Sequence, residues 1–520
     1  MYLWPLPFVL IAAIALATPH RTAAQADLFD AIADEHQLAG MSVVTRCGHE
    51  VSLESHVGLR DIERKLPVHS ETIFRMASIS KAVVALGVAK LVESGTLTYD
   101  APLSAYLDSP PVHPGHPDVP LTVQHLLTHN SGIRDGDGYS DFLNASYASI
   151  PAVPALSEVL SEDGTYYTTN MWGTSAPGAW FQYANLNFGV LATVMEAVTG
   201  MRFDLLMDEL IFAPFGLDAG YRVQQLDDIN DVAVLYRQVN GAWTPQADHY
   251  EGVVPAGPNW EGYTPGNSAV CFSPQGGLRI SARDLSLLAH VWTAGNAPGP
   301  DGTTVSFLSG PALSELHEQQ WAYSTSGGGN GNNYDGLFNR WGRGLHLAAS
   351  GFGEDEVIPD VAVAPFIGHP GEAYGLISDA YSTPDGQWSF CFATHGKWEG
   401  YSVGPASAYY DVEQSVFAAL RDDLLACLAS SVPELELSQW RVLGQPRVGD
   451  SLLHMQGSHR GEVQLDLLRL DGRSTGEKVT SQDQSGRFTF HMRPLEFGWH
   501  VGRIQDDQGN VSTVSFFVGH

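Results

Sequence analysis

The stretch Phe74-Arg75-Met76-Ala77-Ser78-Ile79-Ser80-Lys81 leads into a run of apolar residues. From Ile79 to Val92 these apolar residues recur at helical spacing, and Gly95 follows at a place where a helix end is expected. The pattern predicts a long helix with Ser78 at its N-terminus. Lys81 then lies about one turn further along, on the same helix face as Ser78.

A serine and a lysine on one helix face can share the hydroxyl proton, which would make the serine a nucleophile. Burial would favour the neutral amine, and the helix N-terminus would stabilise negative charge that develops near Ser78. The chain has five lysines, and only Lys81 has a serine three residues before it. Taken alone, Ser-x-x-Lys is equally compatible with a helix-capping serine beside a solvated lysine.

A second candidate element is Tyr183-Ala184-Asn185, which precedes an apolar helical pattern over residues 186–198. A phenol can act as a base at neutral pH only if neighbouring cations lower its pKa, which Lys81 could do across a cleft. The Asn185 amide could donate to a substrate carbonyl and to the lysine. Tyr-x-Asn by itself is also typical of an aromatic packing residue beside a helix cap.

The third element is Gly368-His369-Pro370-Gly371. Small residues allow a strand backbone to approach a ligand closely, and His369 could donate to an oxyanion or to the Tyr183 hydroxyl. Without the other two elements, this sequence would predict only a turn.

Together and in this order, five landmarks resemble the β-lactamase-related serine hydrolases, a family that includes class C β-lactamases, D-aminopeptidases, D,D-carboxypeptidases and family VIII esterases. The resemblance runs from about residue 27 to residue 430. The landmarks are residues 74–81, residues 121–133 (LTVQHLLTHNSGI), residues 183–185, Gly276-Gly277-Leu278 with residues 281–285, and residues 368–371.

The resemblance implies an α/β (α+β) fold of the β-lactamase/transpeptidase type: an antiparallel sheet flanked by helices, with a helical subdomain beside it. It also implies roles for four residues. Ser78 is the acylated nucleophile, Lys81 its proton partner, Tyr183 the general base in acylation and deacylation, and Asn185 a substrate-binding residue.

His369 stands where β-lactamases of this family carry the lysine of a Lys-Thr-Gly strand, and a histidine there is found in the peptidase and esterase branches. This departure argues against a β-lactamase. The resemblance further implies an oxyanion hole made by the backbone N–H groups of Ser78 and Glu372, the first residue after Gly371.

Outside the landmarks, alternating and periodic patterns predict the remaining elements. A short helix and a hairpin open the protein, and long loops over a helical subdomain shape a cleft. A strand and a helix then close the main domain, and short strands with polar turns follow. In that order, the predicted elements are the hairpin 41–47 and 51–59, the loops 135–180, 224–264 and 324–333, the strand 388–395, the helix 411–429, and the strands 462–470, 487–492, 500–504 and 511–518.

The predicted organisation is an export signal over residues 1–26, a hydrolase domain over 27–432 and a small all-β domain over 433–520. An apolar run at residues 8–18 followed by Ala24-Gln25-Ala26 is typical of a cleaved signal and predicts a periplasmic or secreted protein. Residues 1–5 lack Lys and Arg, which leaves an uncleaved anchor as the alternative. No later apolar run reaches the roughly 18 residues of a membrane helix.

The composition limits which binding partners and metal sites are expected. A formal net charge of -31 disfavours nucleic acid and anionic membrane surfaces. The four cysteines form no Cys-x-x-Cys, so they indicate either one or two disulfides or buried thiols, with no pairing favoured. His125 and His129 have the spacing of metal ligands, but they lie inside a landmark that looks structural in this family. No metal and no cofactor is predicted.

The predicted reaction is acyl transfer to water through a Ser78 acyl-enzyme, on an amide or ester. A peptidase for small or D-residue-containing peptides is favoured. An esterase or transesterase and a β-lactamase are alternatives, and a catalytically inactive binder of peptides or peptidoglycan fragments is a rival of another class. The sequence leaves the oligomeric state open.

Overall fold

The structure is a computed structural model. It describes residues 23–348, 355–358, 361, 365–396 and 402–431, and beyond these the strands 440–442, 452–457, 461–468, 474–483, 487–491, 498–506 and 511–518. Most of the predicted export signal therefore lies outside the described residues. So does the predicted domain boundary at residue 433, which stays a prediction. The chain forms two units, Met1–Pro359 with Val363–Leu424, and Asp360–Ala362 with Leu425–His520.

The first unit is built on a nine-stranded antiparallel sheet with the strand order β10-β11-β12-β13-β14-β15-β1-β2-β3. Three short two-stranded sheets accompany it. The strands of this unit are β1 Gly40–Cys47, β2 Glu50–Asp61, β3 Leu66–Pro67, β4 Ile73–Arg75, β5 Leu235–Val239, β6 Ala242–Ala247, β7 Arg279–Ser281, β8 Asn296–Pro298, β9 Thr304–Ser306, β10 Trp321–Ala322, β11 Arg340–Trp341, β12 His346–Ala348, β13 Phe366–Ala373, β14 Leu376–Ser382 and β15 Trp388–His395.

Helices cover the sheet and form a subdomain beside it. They are α1 Ala23–Glu35, α2 Ser80–Glu93, α3 Val123–Leu127, α4 Tyr139–Ala148, α5 Ser157–Leu160, α6 Leu186–Thr199, α7 Phe203–Met207, α8 Ala213–Phe215, α9 Ala282–Ala294, α10 Gly310–His317 and α11 Asp411–Ser431. Both the antiparallel sheet and the flanking helices agree with the predicted fold class.

The two faces of the sheet are covered by different helices, as strand β15 shows. Successive side chains of a strand point to opposite faces. Ser389 donates through Oγ to the backbone oxygen of Ser286 in α9. Phe390 and Phe392 instead pack against Phe417 of α11, with ring centroids 5.9 Å and 6.1 Å away. With helices on both faces, β15 is buried along its whole length.

Helix α2 lies at the centre of the first unit. Every residue from Ser80 to Ala89 is buried, which explains why the helix is apolar all round rather than on one stripe. It packs against α6 within one large hydrophobic core. The predicted helix end is confirmed, because α2 stops at Glu93 and Gly95 adopts a left-handed backbone with φ of +76°.

The predicted opening helix and hairpin and the strand over residues 388–395 are confirmed, and the predicted helix over residues 411–429 extends two residues further. Two of the three predicted long loops contain α-helices or strands that the sequence did not indicate. The stretch 135–180 contains α4 and α5, and the stretch 224–264 contains the β5–β6 hairpin. In these stretches, buried residues such as Phe142 and Leu235 pack against the large core and override a local composition typical of loops.

The second unit contains two antiparallel sheets, with strand orders β16-β17-β20 and β19-β18-β21-β22. A small apolar core that includes Leu453, Val463 and Phe490 supports them. Prediction from turn-bounded runs found the strands beginning near residues 462, 487, 500 and 511 but missed the three others. The strands are β16 Trp440–Val442, β17 Leu452–Gly457, β18 Gly461–Leu468, β19 Ser474–Asp483, β20 Arg487–His491, β21 Gly498–Asp506 and β22 Val511–Val518.

Cys47 and Cys427 are disulfide-bonded, whereas Cys271 and Cys391 are free thiols. The outcome combines the two alternatives that the sequence left open, since Cys391 is a buried thiol and Cys271 a partly buried one. Within the described residues, none of the helices is both long and apolar enough to cross a bilayer.

Candidate active site

Ser78 lies in a 3-10 turn, Ala77–Ile79, between β4 and α2. Ala77 has a φ of +46°, a strained conformation for a residue with a Cβ. The turn is held in place by Ser80, whose Oγ donates to the Ala77 backbone oxygen at 2.6 Å and accepts from the Leu278 backbone nitrogen at 3.0 Å. This arrangement leaves the Ser78 side chain partly exposed at the start of the helix.

Lys81 is completely buried beside Ser78. Its Nζ donates to Ser78 Oγ at 2.9 Å and to the backbone oxygen of Gln275 at 2.7 Å. Burial lowers the pKa of Lys81 to about 7, and the negative charge of Asp135 opposes that shift. Burial therefore favours the neutral amine, the form that can remove a hydroxyl proton.

The Tyr183 ring is held between two other rings. His129 stacks on it with centroids 4.3 Å apart, and Phe338 stacks at 5.5 Å. Burial raises the pKa of Tyr183 above its usual value, and a hydrogen bond with the Ser78 hydroxyl opposes the rise. The phenol therefore stays protonated at neutral pH. The pKa of Tyr183 is thus raised, whereas the sequence led us to expect that Lys81 would lower it.

His369 is buried on β13, with Nε2 lying 3.4 Å from the Tyr183 hydroxyl. Its Nδ1 bonds the backbone oxygen of Pro370, which can only accept, so this nitrogen carries the ring proton. Burial and the charge of Lys81 hold the pKa of His369 well below its usual value, so the ring is neutral. Nε2 must then accept from the Tyr183 hydroxyl, which is opposite to the predicted direction.

Asn185 lies at the start of α6, next to a carboxylate that sequence analysis missed. Asp135 Oδ2 accepts from the Asn185 backbone nitrogen at 2.7 Å and from its side-chain Nδ2 at 2.9 Å. Asp135 Oδ1 accepts from the Leu186 backbone nitrogen at 3.0 Å. Asp135 thus caps α6, fixes the Asn185 amide and places a negative charge near Lys81.

Gly371 is the point where β13 touches the turn before Ser78. A Cβ on Gly371 would lie 2.5 Å from Ser378 Oγ and 2.7 Å from the Met76 backbone oxygen, so only glycine fits. This close approach brings the next residue, Glu372, to the edge of the cleft that Ser78 lines. Its side chain is exposed and accepts a hydrogen bond from Tyr410 at 3.0 Å. The oxyanion pairing of the Ser78 and Glu372 backbone N–H groups stays a prediction.

A cavity of about 490 Å³ opens beside these residues. Ser78, Tyr183, His369, Gly371 and Glu372 all line it. Lys81 lies behind Ser78, and Asn185 lies at the start of α6 beside Asp135. The structure therefore brings five of the seven predicted site residues to one cavity wall and keeps Lys81 in hydrogen-bond contact with it.

Several residues that shape the site carried no recognisable local signal. Asp135 acts on a helix fifty residues away, and the Gln275 contact uses a backbone oxygen. His129 was judged structural from its motif, and its Nδ1 accepts from the Ala184 backbone nitrogen at 3.2 Å. The fourth landmark also reaches the site, because its Leu278 bonds both Ser80 and the Met76 backbone.

Comparison with known proteins places most of the first unit in one family. Residues 26–397 match the family described as Beta-lactamase. The chain belongs to this family. All five landmarks lie between residues 74 and 371, within the residues that match the family.

Two curated relatives match shorter stretches. Penicillin-binding protein 4* of Bacillus subtilis (strain 168) is 28% identical over 191 residues, which are 37% of this chain and 39% of that protein. Esterase EstB of Burkholderia gladioli is 34% identical over 205 residues, which are 37% of this chain and 50% of that protein. The chain thus spans half the length of these relatives or less.

Among solved structures, the D-amino acid amidase from Ochrobactrum anthropi SV3 complexed with L-phenylalanine amide has a TM-score of 0.54 at 17% identity. The match covers 78% of this chain and 99% of the amidase. At this identity the likeness shows a shared fold.

Proposed function

We propose that this protein is an exported serine hydrolase that forms an acyl-enzyme on Ser78 and acts on small peptides, including peptides with D-residues. The observation that carries the proposal is the 2.9 Å contact between Ser78 Oγ and the Nζ of a fully buried Lys81 whose pKa is about 7. Such an amine is a base matched to neutral pH, in direct contact with a hydroxyl that lines a cavity.

In acylation, the Ser78 hydroxyl proton passes to the neutral Lys81 amine while Oγ bonds to the substrate carbonyl carbon. Backbone N–H groups of Ser78 and Glu372 are proposed to stabilise the oxyanion. The protonated phenol of Tyr183 then gives its proton to the leaving amine as the carbon–nitrogen bond breaks. The Lys81 ammonium returns a proton to the phenolate, so both groups regain their starting states.

In deacylation, water adds to the acyl carbon and loses its proton to the same amine. Breaking the bond to Ser78 Oγ releases the carboxylic acid, and Oγ recovers its proton. These roles make Lys81 the base and Tyr183 the acid of acylation, since burial keeps the phenol protonated.

Secretion or transfer to the periplasm is part of the proposal. The apolar run at residues 8–18 and the small residues before Asp27 support it. The disulfide-bonded state of Cys47 and Cys427 is also typical of an oxidising compartment.

An esterase is the second candidate, because Esterase EstB of Burkholderia gladioli is 34% identical to this chain over 205 residues. The histidine at position 369 disfavours the β-lactamase alternative. The inactive-binder alternative requires Ser78 and Lys81 to be in contact without catalytic use.

One substrate panel separates these functions: a D-alanyl anilide, its L-isomer, a short-chain nitrophenyl ester and a chromogenic cephalosporin. We expect the parent to hydrolyse the D-alanyl anilide and Ser78→Ala to hydrolyse none of the four. Lys81→Met and Tyr183→Phe should each lower kcat/KM about 10²- to 10⁴-fold.

Lys65→Met is the matched control, because it removes an exposed lysine outside the cavity and should leave the rates unchanged. Equal activity of parent and Ser78→Ala would refute the hydrolase mechanism. Binding of a D-alanyl peptide without turnover of any substrate would favour the inactive binder, and fast cephalosporin turnover would favour the β-lactamase.

A further inference from the structure

We propose that the cavity beside Ser78 selects substrates that carry an ammonium group and disfavours those that place a carboxylate there, with Glu413 and Asp335 as specificity-determining residues. This inference rests on the proposed function, because it assumes that the cavity holds the substrate of a Ser78 acyl-enzyme.

The first observation is the charge of the cavity wall. Its described lining includes the carboxylates of Asp335, Glu372 and Glu413 and contains no lysine or arginine. His369, which also lines it, has a pKa held well below its usual value and contributes no positive charge. The cavity wall is therefore acidic on the side of β13 and α11.

The second observation is a buried pair of carboxyl groups at this wall. Glu413 is 4% exposed, and its Oε2 accepts from the Tyr410 backbone nitrogen at 2.6 Å. Asp379, on β14, is completely buried, and its side chain shares a hydrogen bond with Glu413. Burial and the neighbouring Glu413 raise the pKa of Asp379. Asp379 is therefore protonated, and the pair carries one negative charge, for which an ammonium group in the cavity would be the counter-charge.

The third observation concerns what surrounds the charges. Leu337, Phe338, Ile377 and Val403 also line the cavity, so the carboxylates sit among apolar groups. A cleft lined by one sign of charge with apolar walls concentrates the opposite charge and raises association rates about 10- to 10³-fold. Such a wall attracts a free amine and repels a carboxylate.

The test compares three anilides of equal chemistry and different charge at pH 7: D-alanine p-nitroanilide, its N-acetyl derivative and its N-succinyl derivative. We expect kcat/KM to fall in the order cationic, neutral, anionic, with at least about a tenfold step between the first two. Raising the ionic strength should reduce the difference in kcat/KM between the cationic and the neutral anilide.

Two variants locate the effect. Glu413→Gln keeps an oxygen that can accept from the Tyr410 backbone nitrogen. Asp335→Asn changes an exposed side chain, so this variant still tests the charge effect if Glu413→Gln fails to fold. Each variant should lower, several-fold, the ratio of kcat/KM for the cationic anilide to kcat/KM for the neutral one. Glu209→Gln removes an exposed carboxylate outside the cavity and should leave the ratio unchanged.

The outcomes separate this inference from the proposed function. If the neutral anilide is hydrolysed as well as the cationic one and Ser78→Ala abolishes both rates, the charge selection is wrong and the hydrolase stands. If Ser78→Ala is as active as the parent, the proposed function fails. On an enzyme that hydrolyses only esters, alaninamide and its two acylated forms are compared as competitive inhibitors, and inhibition by all three alike contradicts the inference.

Discussion

Burial of the Lys81 amine lowers its pKa and so suits it to the proposed role of base. The amine touches Ser78 and the Gln275 backbone, and the ring centroids of Tyr183 and Phe188 lie 4.9 Å and 5.9 Å away. Removing water from an amine favours its neutral form. The same burial that stabilises the core therefore prepares the base.

A pH profile tests this account of Lys81. Because the base must be neutral and its pKa is about 7, kcat/KM for an uncharged ester should rise about tenfold per pH unit below pH 7 and level off above it. A profile that is flat from pH 5 to pH 9, or one with its midpoint near a carboxylate pKa, would contradict the assignment of Lys81 as base.

At this scale the sequence predicted which residues meet but not how each is protonated. The Ser78 and Lys81 contact follows from their spacing on one helix. The state of Tyr183 depends on His129 and Phe338, which reach it from distant parts of the chain, and the direction of the His369 bond depends on its own neighbour's carbonyl. The contacts of Tyr183 with His129 and Phe338 join distant parts of the chain, so local patterns do not contain them.

At the scale of elements, β13 packs closely against the turn before α2 because residue 371 is a glycine. Gly371→Ala should push β13 away from that turn, because its Cβ would overlap Ser378 Oγ and the Met76 oxygen. We expect a loss of about 1–3 kcal/mol in the free energy of unfolding and a drop of at least about tenfold in kcat/KM.

Gly310→Ala is the matched control for this change. A Cβ at Gly310 meets nothing within 4 Å, at the start of α10, so stability and activity should stay near those of the parent. Equal effects of the two substitutions, measured by chemical denaturation and ester hydrolysis, would show that the contact at Gly371 does not position the site.

Strong periodicity predicted α2, α6, β15 and α11 well, since each carries a pattern that is unambiguous on its own. The helices α4 and α5 and the β5–β6 hairpin were missed because Gly, Pro and Asn are frequent in these stretches. Their apolar residues gain a partner only when the main core is assembled, and that partner is distant in sequence.

For the whole molecule, the oxidation state of the cysteines is open to direct measurement. With Cys47 and Cys427 disulfide-bonded and two free thiols, alkylation of the unfolded protein should modify two cysteines without reductant and four after reduction. Intact-mass spectrometry reads both numbers. Four modified cysteines without reductant would contradict the disulfide and remove one support for export.

The central claim is that Ser78 is the nucleophile, and covalent labelling tests it most directly. A fluorophosphonate reagent should add once to the parent protein, and peptide mass mapping should place the adduct on Ser78. Ser78→Ala should take up no label, whereas Ser94→Ala, which changes an exposed serine after α2, should label like the parent. Labelling of Ser78→Ala at the parent's rate, or an adduct on any other residue, would contradict the account.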